Sequence, residues 1–210
     1  MTVTTSHSLG PHITSALASV RQSAAAAQPL FRSLVDALSR PGTPVLLGTD
    51  SSGLPPAAEP APVLVDVTSR LAIIGDDPDD GLATAMSQVT GCTISTPERA
   101  DVLVVLHDEA PIDTLVSLKI GSHHAPEDAV TVFAACREIS VEGDGLSVTT
   151  QGPGASQGRC VQILGADTIL GWLAARPDDY PAGPDVFFLS DDRLCVGFPR
   201  SNRITLGQDI

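Results

Sequence analysis

Aromatic side chains are scarce in this chain: five Phe, one Tyr and one Trp make up 3% of 210 residues. The core must therefore be built from Ala, Val, Leu and Ile. Basic residues are few as well, 12 Lys and Arg against 25 Asp and Glu, for a formal net charge of −13. A field of that sign repels nucleic acid and anionic membranes, so neither is an expected partner. It also repels a phosphorylated ligand at long range, unless a local arginine cluster or a partner protein offsets it. No C-x-x-C pair occurs. Cys92, Cys136, Cys160 and Cys195 all sit in apolar stretches and are expected to be buried free thiols in a reducing compartment. No run approaches the length of a membrane span, and Met1–Gly10 has no basic segment ahead of an apolar one. The expectation is a soluble, cytoplasmic protein.

Hydrophobic residues at 42% and charged residues at 18% are ordinary for a globular chain, and this length suits one domain. Residues 1–27 read as an N-terminal arm, partly disordered or helical, ahead of a main domain over 28–210. Met1–Pro11 is polar and expected to fray. Ile13–Ala27 has high helix propensity but a weak apolar stripe. Leu30, Phe31, Leu34, Val35 and Leu38 share one face of a helix Pro29–Ser39, with Pro29 in its first turn and Pro41-Gly42 stopping it. A strand Pro44–Gly48 and a loop over 49–62 follow. Val63–Val67 reads as strand from its β-branched residues, although a short buried helix fits equally well. Strands are expected at Leu71–Gly75, Asp101–Leu106, Val130–Cys136, Leu146–Thr150 and Cys160–Leu164, the last two flanking a glycine-rich loop. Helices are expected at Leu82–Val89, behind the acidic turn 76–81, at Ile112–Ile120 and at Thr168–Ala175. Near the C-terminus, strands Asp185–Ser190 and Leu194–Phe198 form a hairpin through Asp191-Asp192-Arg193. Pro199 ends the second strand, placing Arg200 just beyond it. Alternating strands and helices with a terminal hairpin predict a single-domain, layered α/β fold with a mixed sheet.

Several segments invite a chemical reading. Gly154-Ala155-Ser156-Gln157-Gly158 matches the G-x-S-x-G nucleophile elbow, but strand-like alternation follows where the elbow needs a helix, so a glycine turn is the favoured reading. The same segment, beside Arg159, could offer backbone N–H groups to an anion, yet it lacks a Walker lysine. His123-His124 and His107-Asp108-Glu109 lack the spacing of a metal site, and Asp76, Asp77, Asp79 and Asp80 lack that of a Ca²⁺ loop. Lys119 is the only lysine; a Schiff-base role competes with that of a surface residue snorkelling from a helix. Arg32, Arg40, Arg159, Arg200 and Arg203 could converge on an anion or form salt bridges between subunits.

Three stretches taken together resemble one family. Gln28-Pro29-Leu30-Phe31-Arg32-Ser33-Leu34-Val35-Asp36-Ala37-Leu38-Ser39-Arg40-Pro41-Gly42 is similar to its Q-x-x-F-R-x-L-x-x-A-x-S-x-P-G signature. Gly121–Ala129, with Pro126-Glu127, resembles its G-x-x-x-x-P-E segment. Gly152-Pro153-Gly154, Tyr180-Pro181-x-Gly183-x-Asp185 and Pro199-Arg200-Ser201 complete the order. The family is PhnH, a subunit of the carbon–phosphorus lyase system of phosphonate breakdown, and the resemblance runs over residues 28 to 206. Pro184 and Asn202 depart from the residues usual in the family. The resemblance implies a fold similar to that of pyridoxal-phosphate-dependent transferases, without that cofactor, and a helical Val63–Val67. It implies a homodimer joining PhnG, PhnI and PhnJ. With PhnG, PhnI and PhnL it implies support for the displacement of adenine from ATP by methylphosphonate, giving ribose 1-methylphosphonate 5-triphosphate. Lys119 and Ser156 have no place in the family pattern. Arg32, Gly152, Gly154 and Arg200 are the expected ligand- or partner-binding residues. No catalytic nucleophile or base is assigned. A small-molecule hydrolase using Ser156 and a purely structural adaptor are the alternatives.

Overall fold

The computed structural model describes residues 10–48, 53–75, 81–107 and 109–207. Of the segment Met1–Pro11 expected to fray, residues 1–9 lie outside the described residues, as do the acidic residues 76–80 and Asp108, while Gly10 and Pro11 belong to the first helix. Two helices open the chain, α1 (Gly10–Gln22) and α2 (Ala24–Ser39). The helical part of the 1–27 arm is packed into the core. α1 buries Ala16, Leu17 and Val20, and Arg21 Nη1 donates to the Val65 carbonyl at 2.8 Å. α2 starts earlier than expected, because four alanines of high propensity carry the helix up to and through Pro29. Leu30, Leu34 and Ala37 form its buried face, whereas Phe31 and Val35 are 48% and 49% exposed.

β1 (Val45–Leu46) is followed by α3 (Ala61–Leu64), so the strand reading of Val63–Val67 fails and the helical one holds in part. Pro60 and Pro62 suit the first turn of that helix, and Val65 leaves it in extended conformation. Next come β2 (Arg70–Ile74), α4 (Leu82–Thr90), β3 (Thr93–Ile94) and β4 (Val102–Val105). Gly91, at φ +77°, closes α4 in the left-handed conformation that glycine adopts without strain. α5 (Ile112–Val116) is shorter than expected. The chain leaves the helix so that the Lys119 carbonyl can accept the Val130 N–H. β5 (Thr131–Cys136), β6 (Glu138–Ser140), β7 (Leu146–Gly152), β8 (Ala155–Leu164) and α6 (Asp167–Ala174) follow, then β9 (Asp185–Ser190), β10 (Leu194–Phe198) and β11 (Arg203–Gly207). The expected glycine-rich loop contracts to the turn Pro153-Gly154, since Ala155–Arg159 already pairs as strand.

Among the described residues the strands form a seven-stranded mixed sheet, β1-β10-β9-β5-β4-β2-β3, and a four-stranded antiparallel sheet, β11-β7-β8-β6. In the larger sheet β3, β2, β4, β5 and β9 run parallel; β10 reverses against β9, and β1 pairs antiparallel to β10. Alternation along each strand divides two cores. Leu71, Val104, Phe133, Phe187 and Leu189 face α1, α2 and α4 through Leu17, Leu30, Leu34 and Met86. Leu103, Val105, Val132, Phe188 and Val196 face α5, α6 and the smaller sheet through Leu115, Ile169, Leu170, Val148 and Val161. With both faces covered, β4 is buried at every position. Three of the four thiols are buried as expected, but Cys160 is exposed, on the outer face of β8.

Candidate functional site

The segments singled out in the sequence meet one another inside the molecule. Arg200 leaves the end of β10 and grips Asp185 at the start of β9. Its backbone N–H donates to Oδ1 at 2.9 Å, Nη2 to Oδ2 at 2.7 Å and Nε to Oδ2 at 3.2 Å. Arg200 Nη1 also donates to the Pro126 carbonyl, tying in the Gly121–Ala129 segment. Both charged side chains are about four-fifths buried, at 19% and 20% exposure. A bidentate guanidinium–carboxylate pair whose third nitrogen is also bonded is a strong, geometrically specific joint.

A second joint lies at the β7–β8 turn. Gly154 sits at φ +78°, and a Cβ there would be 2.5 Å from the Ser39 carbonyl oxygen and 2.8 Å from Pro41 Cδ. The end of α2 thus rests directly on the glycine turn. Gly152 faces the buried Asn202 side chain, and Arg159 Nη1 donates to Thr43 Oγ1. The room that an anion would need at Gly152 and Gly154 is filled by Asn202, Ser39 and Pro41. Of the other arginines, Arg40 pairs with Asp36 at 3.3 Å and Arg203 with Asp178, both on the surface. These arginines do not converge on a common anion site. Arg32 is exposed on α2 and forms no ion pair among the described residues.

Beside the Arg200 joint a cleft of about 390 Å³ opens between α5, α6 and the segment 176–183. Ile112, Val116, Ile120, Trp172 and Ala182 line it, with Arg176 and Asp179 as its charged members. Val116 is 70% exposed, a large apolar side chain left at the mouth. The half-buried Arg176 donates to the Pro184 and Arg200 carbonyls. Sequence reasoning missed this cleft; the one signal available was that it holds the only tryptophan. At its rim His123 Nε2 lies 2.9 Å from Asp179 Oδ1, while His124 is exposed. Among the described residues no group of three or more His, Cys, Asp or Glu is placed to hold a metal ion.

A family model described as bacterial phosphonate metabolism protein (PhnH) matches residues 18–205. The chain belongs to the PhnH family. It therefore has a role in phosphonate metabolism. A comparison with curated proteins found no match. The PhnH match reaches back into α1, which the resemblance over 28–206 left out, in keeping with the packing of that helix. The PhnH-like signature is largely a record of internal joints: Ala37 backs onto Gly197, Ser39 and Pro41 onto Gly154, and Pro126 onto Arg200.

For two segments outside the PhnH-like pattern the structure decides between the readings. Ser156 is an exposed residue within β8, with strand on both sides, so the elbow match is accidental. Lys119 does not snorkel from a helix. It follows α5, and its Nζ donates to Asp101 Oδ1 at 2.5 Å. Arg70 donates to the same carboxylate from its backbone N–H, Nε and Nη2. Partial burial raises the Asp101 carboxyl, but hydrogen bonds from Arg70 and Lys119 outweigh it and hold it at about 2, below the ordinary 3.8. A carboxylate with a lower folded than unfolded pKa stabilises the fold above the unfolded value. That contribution is lost progressively from about pH 5 to about pH 1, as pH falls through the unfolded and then the folded value. Asp101→Asn is expected to lower stability at pH 7 by about 1 kcal/mol, allowing for solvent screening. The deficit should shrink as pH falls and vanish only below about pH 2, read from urea midpoints across the acid range.

Proposed function

We propose that the chain acts as a companion subunit in phosphonate breakdown, supporting transfer of methylphosphonate onto ATP with release of adenine to give ribose 1-methylphosphonate 5-triphosphate. The observation that carries this reading, beyond membership of the family, is the outer face of α2. Phe31 and Val35 stand exposed there beside Arg32, which has no ion pair among the described residues. With Leu34, Leu38, Leu64 and Phe187 they border an apolar hollow of about 230 Å³. Large apolar side chains next to an arginine are the composition of a protein-docking surface. The net charge of −13 points the same way, since a chain with this field is poorly suited to gather ATP unaided.

In this reading the partners are PhnG, PhnI and PhnJ, the chain forms a homodimer in the cytoplasm, and Arg32 is a partner contact. Gly152, Gly154 and Arg200 hold the frame on which that contact stands. The fold is proposed to follow that of pyridoxal-phosphate-dependent transferases without the cofactor. The engagement of Lys119 by Asp101 argues against a Schiff-base lysine. Co-expression with the three subunits and size-exclusion chromatography tests the docking face. The wild-type chain is expected to co-elute with them, and Phe31→Asp combined with Arg32→Glu to elute apart with unchanged circular dichroism. Co-elution of that double variant at wild-type level would rule this face out.

A further inference from the structure

Arg176 stands out in the cleft between α5 and α6. Of the carboxylates near it, Asp185 is ion-paired with Arg200 and Asp178 with Arg203, while Asp179 lies within hydrogen-bond distance of His123. Arg176 has no carboxylate within ion-pairing distance among the described residues; its guanidinium is braced by two backbone carbonyls. Room for it is made by Gly183, at φ +130°, where a Cβ would fall 2.3 Å from Arg176 Nη1. Burial lowers the pKa of this guanidinium, so its charge lacks much of the hydration it would have in water. Around it the cleft is apolar, and its volume of about 390 Å³ suits a small ligand.

We propose that this cleft binds a small molecule with a short apolar body and an anionic head, a phosphonate or a carboxylate. The head meets Arg176 and the body lies against Trp172, Val116 and Ile120. Asp185 and Asp178 act on Arg176 only from beyond ion-pairing distance; an anion in the cleft would be its direct partner, and a charge-assisted hydrogen bond is strong where water is partly excluded. The site lies across the seven-stranded sheet from the docking face of α2. Failure of the subunit test and failure of this proposal are therefore distinguishable.

Trp172 is the only tryptophan, so tryptophan fluorescence, excited beyond the tyrosine band, reports on this cleft alone. Phenylphosphonate, benzoate, benzyl alcohol and inorganic phosphate are titrated into the full chain. A saturable change is expected with phenylphosphonate or benzoate, with a Kd below about 1 mM, and roughly tenfold weaker binding of benzyl alcohol and of phosphate. The tighter of the two aromatic anions identifies the head. Arg176→Gln is expected to weaken that anion about tenfold or more. Should Arg176→Gln fail to fold, Val116→Asp decides: this exposed position tolerates the change, and the new carboxylate at the mouth should weaken the anion while the melting temperature holds. No saturable change with either anion, benzyl alcohol binding as tightly as the anions, or indifference of the folded variants would each overturn the proposal.

Discussion

Arg200→Ala is expected to lower stability by about 3 kcal/mol, the lower part of the range for removing one partner of a buried ion pair. The size follows from what is left behind. The Asp185 carboxylate, four-fifths buried, would keep the backbone N–H of residue 200 but lose all three guanidinium contacts. The Pro126 carbonyl would lose its donor as well. Arg200→Lys retains a charge but not the fork, and should cost about half as much. Removing both partners, Arg200→Ala with Asp185→Ala, should cost less than the sum of the single changes, because no unpaired carboxylate remains. Urea midpoints for the four proteins, with unchanged slope, measure this. Additive losses would mean that the pair is not coupled.

Gly154→Ala separates two ways in which a glycine can be required. Gly154 and Gly158 both have positive φ, +78° and +77°, so alanine meets a conformational cost of about 1 kcal/mol at either site. At Gly158 the nearest atom to a new Cβ is Thr149 Cγ2 at 3.9 Å, ordinary contact. At Gly154 the Cβ would press on the Ser39 carbonyl oxygen at 2.5 Å, and a helix end cannot yield as a flexible side chain does. Such overpacking adds about 1–3 kcal/mol. Gly158→Ala is therefore expected to lower stability by about 1 kcal/mol and Gly154→Ala by about 3 kcal/mol. Equal losses would show that α2 does not bear on the turn.

The layered α/β class and most strands of the larger sheet were legible because buried parallel strands such as Val102–Val105 are continuous apolar runs bounded by turns. β3, β6 and β11 were not. They are two to five residues long and pair at or near sheet edges, where too few positions exist for alternation to register. Pro29 misled in another way: proline at a first turn is the local rule, but Ala24–Ala27 propagate the helix ahead of it. The residues of the resemblance were legible as a set, and their meaning was not. Arg200 beyond a strand end reads equally as an anion contact or as a joint, and only the position of Asp185 decides. The cleft was invisible because Arg176, Trp172 and Val116 come from separate elements and form no spaced pattern.

The central claim is that this chain carries a frame and a docking face, and takes part in phosphonate chemistry through companions. The most direct measurement is adenine release from ATP in the presence of methylphosphonate, with the purified chain alone, with PhnG, PhnI and PhnL without it, and with all four together. Release is expected only in the complete mixture, and is expected to be lost when the Phe31→Asp, Arg32→Glu chain replaces the wild type. Release at full rate by the chain alone, or by the partners without it, would rule out a companion role for this chain.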